Sequence, residues 1–303
     1  MKEGRREQAE AVQRMQDHIE AHMAEPITLK DLADAAGYSL WHASRLFQQL
    51  VGTQPLNYVR SRRMTKAAQA LRNESSGVME TALRSGFGSH EGFTRAFGRE
   101  FGLTPSRYAK DQPPVPWFMA RSALHLHQSR AGSPKMPLES QKSDAVFVRL
   151  AECPARKLLI VRAKTASEYW TYCEEVGCDV WGLLASLPGA MDEPKGFWLP
   201  DCLRPAGTSQ YVMGVELPMD WSGTLIESGE VIELPVSQCL VFQGQPYPDA
   251  KMGEAIGALR SSMMAFDPAP LGLEWAEDEL PSWQMAPLAE RGVIEGRPVR
   301  TMG

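Results

Sequence analysis

Through the first 110 residues, apolar positions recur with a helical period broken by short polar turns. Val12, Met15, Ile19 and Met23 predict one helix that ends near Pro26. Thr28, with Asp31 three residues on, predicts a capping box that opens a second, and Gly37 closes it. In the segment GYSLWHASRLFQQL, Ala43, Leu46, Phe47 and Leu50 fall at i, i+3, i+4 and i+7, which makes one apolar side. Trp41, Ser44, Arg45 and Gln48 share that spacing on another side, where an aromatic and an arginine sit beside two hydrogen-bonding side chains.

The same pattern returns. SLWHASRLFQQLVGTQPLNY, starting at Ser39, matches SHEGFTRAFGREFGLTPSRY, starting at Ser89, with Arg45/Arg95, Phe47/Phe97, Gly52/Gly102, Pro55/Pro105 and Tyr58/Tyr108 coinciding. Two copies of one helix–glycine turn–helix unit follow, and Val59, Met64, Ala67, Ala68 and Leu71 predict a helix bridging them. In the second copy the polar side carries His90, Glu91, Thr94 and Arg95.

Beyond residue 110 the pattern changes. Residues 111–143 are rich in Pro and Ser and read as a linker, with a short strand over 123–127 that would put His125 and His127 on one face. A third ligand is missing nearby, so no metal is expected there. Residues 144–303 read as an α+β domain: strands over 145–152 and 157–165, a helix over 168–187, a strand over 209–218, a strand pair around Pro235 in register with one around Pro154, a helix over 250–264, and a last strand over 282–288. The repeated strand–proline–strand–helix order implies two β-α-β-type halves.

Composition refines this picture. The hydrophobic share of 43% over 303 residues fills a core in each of two domains. No run approaches the roughly 18 apolar residues of a membrane span, and the first residues lack a signal-peptide apolar stretch, so a cytoplasmic location is expected. Five cysteines, Cys153, Cys173, Cys178, Cys202 and Cys239, show no CxxC spacing and read as reduced or buried thiols. The formal charge of −5 conceals a division: residues 41–110 hold 11 Lys and Arg against 4 Asp and Glu. That part suits a polyanion.

A helix entering a major groove could use Arg45 on guanine, Ser44 and Gln48 as hydrogen-bonding partners, and Trp41 against a thymine methyl or sugar edge. His90, Glu91, Thr94 and Arg95 are the corresponding base candidates of the second unit. Ser39, Arg60, Arg62, Arg63, Lys66, Ser89 and Arg99 are the phosphate candidates.

Residues 9–110 resemble the AraC/XylS family of bacterial transcription regulators. The resemblance rests on LKDLADAAGYSLWHASRLFQQLVGTQPLNYVRSRRMTKAAQAL and GFGSHEGFTRAFGREFGLTPSRY. Within that family GYSxWHxxR and YxRSRxM resemble the Rob type. It implies two helix-turn-helix units whose second helices lie in successive major grooves, with RNA polymerase as a further partner. Thr81 departs from the pattern, since the family carries an aliphatic residue there to pack the second unit.

Residues 144–303 resemble GyrI-like effector-binding domains through QYVMGVELP and LPVSQCLVFQGQ. This implies a small, often aromatic or cationic, effector between two halves. Tyr169, Trp170, Trp198, Tyr211, Phe242, Trp275 and Trp283 are its candidate lining, by stacking and cation–π attraction. Gln284 aligns where the family places a glutamate, and Glu216 is a candidate substitute.

A regulator with domains at 1–110 and 144–303, needing no cofactor or metal, is the leading expectation. A hydrolase is a second class, because some relatives of the GyrI-like fold hydrolyse small molecules. GxSxG, P-loop and HExxH motifs are all absent from the sequence. A protein-interaction module working through the acidic C-terminal surface without ligand is a third.

Overall fold

The computed structural model describes residues 2–73, 77–120, 145–177 and 179–302. The chain divides into two units, residues 1–133 and 134–303. The expected strand at 123–127, with His125 and His127, lies outside the described residues, as does Cys178.

Seven helices lie among the described residues of the first unit: α1 (Lys2–Ala21), α2 (Leu29–Ala36), α3 (Leu40–Val51), α4 (Pro55–Asn73), α5 (Val78–Arg84), α6 (His90–Phe101) and α7 (Pro105–Asp111). Local chemistry sets their ends. Thr28 and Asp31 form both hydrogen bonds of a capping box at α2, and Gly37, at φ 73°, takes the left-handed turn that separates α2 from α3. Ser39 accepts the His42 N–H to open α3, and Ser89 accepts the Gly92 N–H to open α6. The repeat in the sequence is thus a repeat of caps as well as of apolar stripes.

Val12, Met15 and Ile19 of α1 pack with Leu32, Ala33, Ala43, Leu46, Phe47 and Tyr58 in one core. Phe93, Phe97 and Tyr108 are the buried aromatics of the second copy. Residues 113–118, expected to begin a linker, instead return to α4: the Phe118 N–H donates to Thr65, the Phe118 ring meets Tyr58 edge-on, and Arg72 lies over the buried Trp117. Their apolar side chains draw them onto the helices despite the three prolines among them.

The second unit is β-rich. Its strands are β1 (Phe147–Cys153), β2 (Arg156–Arg162), β3 (Lys195–Trp198), β4 (Tyr211–Pro218), β5 (Gly229–Leu234), β6 (Ser237–Gln243), β7 (Leu273–Trp275), β8 (Ser282–Gln284) and β9 (Ile294–Thr301); its helices are α8 (Tyr169–Val176), α9 (Val180–Ala185) and α10 (Met252–Ala265). The sheet runs β1-β6-β9-β8-β3-β4-β2-β5, with β7 also on β9, and every pairing is antiparallel.

Three expectations are corrected. The strands flanking each proline do not pair with each other: β1 pairs β6 and β5 pairs β2, so that Cys153 faces Ser237 and Arg156 faces Leu234. The helix expected over 168–187 is two helices, interrupted at Gly177, which sits at φ 96°. The last strand is β9; Pro298 and Gly296 within it weaken the strand signal, and β8 is a three-residue piece of the expected 282–288.

On one sheet face α8 and α9 cover β2 and β4 through Tyr172, Leu184 and Leu187 against Leu159, Val161, Met213 and Val215. On the same face α10 covers β6 through Leu259 and Met263 against Leu240 and Phe242. The other face buries Leu158, Ile160, Phe197, Val212, Val241 and Trp283. Arg156 of β2 donates to the Ser237 hydroxyl of β6, five strands away along the sheet. Five strand spacings are about 24 Å in a flat sheet, so the sheet curls onto this second face.

Candidate functional sites

The first candidate site is the polar side of α3. Ala43, Leu46 and Phe47 are buried, which turns Trp41, Arg45 and Gln48 to solvent and leaves Ser44 half-buried. Trp41 is 68% exposed, and the Arg45 guanidinium lies 5.2 Å from its ring centroid. In α6, His90, Glu91 and Arg95 are exposed and Thr94 half-buried, with Phe93 and Phe97 inward. Ser39 and Ser89 are the exposed caps, and Arg99 and Lys66 are exposed.

Two phosphate candidates are corrected. Arg62 is buried; its Nε and Nη2 donate to Glu20 at 2.6 and 2.8 Å, and its Nη1 donates to the Phe118 carbonyl. Arg63 donates to the carbonyls of Met23 and Glu25, satisfying acceptors beyond the end of α1. Both guanidiniums hold the helices together and face protein groups. Arg60 is half-buried, between these two extremes.

Thr81 is 1% exposed, and its hydroxyl has no hydrogen-bond partner among the described residues. A polar atom therefore stands where the second unit packs α5, the position at which the sequence pattern departs.

The second candidate site lies on the sheet between α8–α9 and α10. Register pairs Phe242 with Glu295, Glu295 with Gln284, Gln284 with Gly196, and Trp198 with Tyr211, which puts these residues on the helix-bearing face. Strands β9, β8 and β3 separate the strands that carry the helices. Four spacings of about 4.8 Å less one helix width of about 10 Å leave a strip of roughly 9 Å.

Within that strip Gln284 donates through Nε2 to the Tyr211 hydroxyl at 2.9 Å and accepts the Arg260 Nη2 at 3.0 Å. A Cβ on Gly196 would lie 1.9 Å from the Tyr211 hydroxyl oxygen, so the glycine lets the phenol cross its strand to reach Gln284. Burial pushes the Tyr211 phenol well above its usual range and keeps it neutral. Arg260 also donates through Nε to Glu295 at 2.9 Å and lies 5.4 Å from the Trp198 ring centroid. Burial raises the Glu295 carboxyl, and Arg260 offsets part of that rise. The Trp198 indole donates to the Ser167 carbonyl just before α8, where Tyr169 and Trp170 meet edge-on.

The remaining effector candidates do not converge here. Trp283 and Glu216 project from the opposite face, because side chains alternate along a strand. Trp283 packs over Gly296, and Glu216 is buried between Arg156 and Lys195, 2.7 Å from the latter. Phe242 is enclosed beneath α10, and Trp275 packs against Phe266 under the Arg297 guanidinium. A concavity of about 570 Å³ on the second unit, lined by Leu234, Val236, Leu280, Val299, Glu152 and Arg300 among others, contains none of the nine candidates.

Sequence reasoning missed Glu295 and Arg260. Glu295 was hidden with its strand, although E-x-R-x-V in IEGRPVR alternates as a strand does. Arg260 is the one charged residue in the stretch AIGALRSSMMA of α10.

The first unit is of the helix-turn-helix class, and residues 32–111 match the family model described as a helix-turn-helix domain. The right origin-binding protein of Escherichia coli (strain K12) is 38% identical over 108 residues, 36% of this chain and 37% of that protein. The multiple antibiotic resistance protein MarA of Salmonella typhimurium (strain LT2) is 36% identical over 92 residues, 30% of this chain and 72% of that protein. A crystal structure of a transcriptional regulator from Chromobacterium violaceum, with an AraC-type DNA-binding domain, is 29% identical, covering 33% of this chain and 90% of that one at a TM-score of 0.32. The chain belongs to the AraC family of helix-turn-helix transcription regulators. It spans 37% of the length of the right origin-binding protein, and the match lies within its first unit.

Proposed function

We propose that this chain binds a specific DNA site through α3 and α6 and that its second unit senses a small molecule that alters the outcome at a promoter. The carrying observation is the α3 surface: a tryptophan 68% exposed, with an arginine on its ring, on a helix whose apolar side is already buried. Packing gives no reason for that exposure, whereas a major groove offers a partner to both groups. Arg45 reads guanine, Trp41 meets a thymine methyl or sugar edge, Ser44 and Gln48 extend the contact, and His90, Glu91, Thr94 and Arg95 do the same work from α6. Ser39, Ser89, Arg60, Lys66 and Arg99 meet phosphates. RNA polymerase is the natural further partner of such a complex.

For the second unit we infer a GyrI-like, duplicated domain. Its support is the reciprocal exchange at the two prolines, where β1 joins the half of β6 and β5 joins the half of β2. The effector site is the strip bounded by Trp198, Tyr211, Gln284, Glu295 and Arg260, with Tyr169 and Trp170 at its edge.

Selection from a randomised oligonucleotide pool tests the DNA reading. The chain should enrich one sequence, and Arg45→Ala should relax it at one position by about 1 to 3 kcal/mol of discrimination. An unchanged selected sequence would remove α3 as the reader.

A further inference from the structure

The strip between the helices already contains a cation. Arg260 reaches over from α10 and places its guanidinium against three groups that recognise such an ion: the Glu295 carboxylate, the Gln284 carbonyl oxygen and the Trp198 ring. The depth order is unequal: the Glu295 side chain is 6% exposed and that of Arg260 44%. A molecule arriving from solvent meets the guanidinium first, with the carboxylate behind it. An incoming cation would have to expel Arg260, and would gain only what Arg260 gives up. An incoming anion meets the outward edge of a guanidinium whose inward edge is fixed by Glu295 and Gln284, so little orientation is lost on contact. Trp198, half-buried beside it, offers a flat apolar surface.

We propose that this site binds a flat aromatic carboxylate, with Arg260 as the anion contact, Trp198 as the stacking surface, and Glu295 and Gln284 as positioning residues that hold Arg260. This rests on the reading of the strip as an effector site and names the class of ligand it takes.

Three probes sharing one ring system separate the possibilities: 2-naphthoate, its neutral methyl ester, and (2-naphthylmethyl)trimethylammonium, titrated into the full chain with tryptophan fluorescence as readout. The expected order is naphthoate over ester over ammonium, with naphthoate at least about tenfold tighter than the ammonium, the scale of one charge-assisted hydrogen bond. Arg260→Gln should lose about tenfold for naphthoate and leave the ester unchanged, and Arg260→Lys should keep the preference for the anion. Arg260 is exposed on its helix, and a thermal melt of each variant identifies any that fail to fold. Tighter binding of the ammonium than of naphthoate, or an Arg260→Gln variant that binds naphthoate undiminished, would overturn the anion assignment while leaving the effector site standing. Failure of all three probes to bind would remove the effector site itself.

Discussion

Arg60 and Arg62 stand two positions apart on α4 and meet different surroundings. Tyr58, Arg62 and Thr65 fall at i, i+4 and i+7, which is the buried stripe, and Glu20 together with the Phe118 carbonyl supplies the partners that a buried guanidinium needs. Removing one member of a buried pair costs about 3 kcal/mol. Arg62→Ala should therefore lower the denaturant midpoint of the first unit substantially, and Arg60→Ala should not. The helical spacing that marks Arg62 as inward was legible in the sequence. The acid that pairs with it, 42 residues earlier, was not, because charge alone does not say which carboxylate folds back. In the second unit, burial alone would raise the Glu216 carboxyl, but Lys195 and Arg156 outweigh it and hold that carboxyl below the ordinary range. Glu216 thus contributes stability that is present above about pH 4.5 and lost as pH falls through its depressed folded value. Glu216→Gln should be less stable at pH 7 and show a shallower acid limb in melts across pH 7 to 3.

Among the elements, α5 carries a fault that a single methyl group corrects. The Thr81 hydroxyl is buried without a partner among the described residues, and such a group costs about 1 to 3 kcal/mol. Thr81→Val should raise the melting temperature of the first unit, and a neutral or destabilising result would mean that the hydroxyl is satisfied in solution. At the start of α3, Ser39→Ala removes the side-chain acceptor of the His42 N–H and should cost about 1 kcal/mol, weakening DNA binding in proportion as the proposed reading helix frays. The helices were legible because period, caps and glycine stops agreed at each end. The sheet was harder to read. Strands flanking Pro154 and Pro235 looked like pairs because they are adjacent in sequence, whereas their partners are set by long-range register that no local pattern encodes. Strand β9 was concealed by Pro298 and Gly296, and the buried carboxylate of the candidate effector site was concealed with it.

For the whole molecule, the structure changes what the charge asymmetry implies. Among the cations along 41–110, five were candidates to meet phosphate: Arg60, Arg62, Arg63, Lys66 and Arg99. Arg62 and Arg63 are committed to Glu20 and to the carbonyls of Met23 and Glu25, which leaves three. Each phosphate neutralised on duplex DNA adds about −0.9 to the slope of log K against log salt concentration, so five contacts give about −4.5 and three give about −2.7. The acidic remainder of the chain lowers the net charge to −5 and so weakens non-specific attraction at low salt. A titration of the full chain on its selected site, from low to high potassium chloride, should give the shallower slope. Lys66→Ala should reduce it by about one further contact, and an Arg62 variant mild enough to fold, Arg62→Lys, should leave it unchanged. A slope of about −4.5 that falls with Arg62→Lys would mean that the Arg62–Glu20 pair opens on DNA, and that the helices of the first unit rearrange to release it.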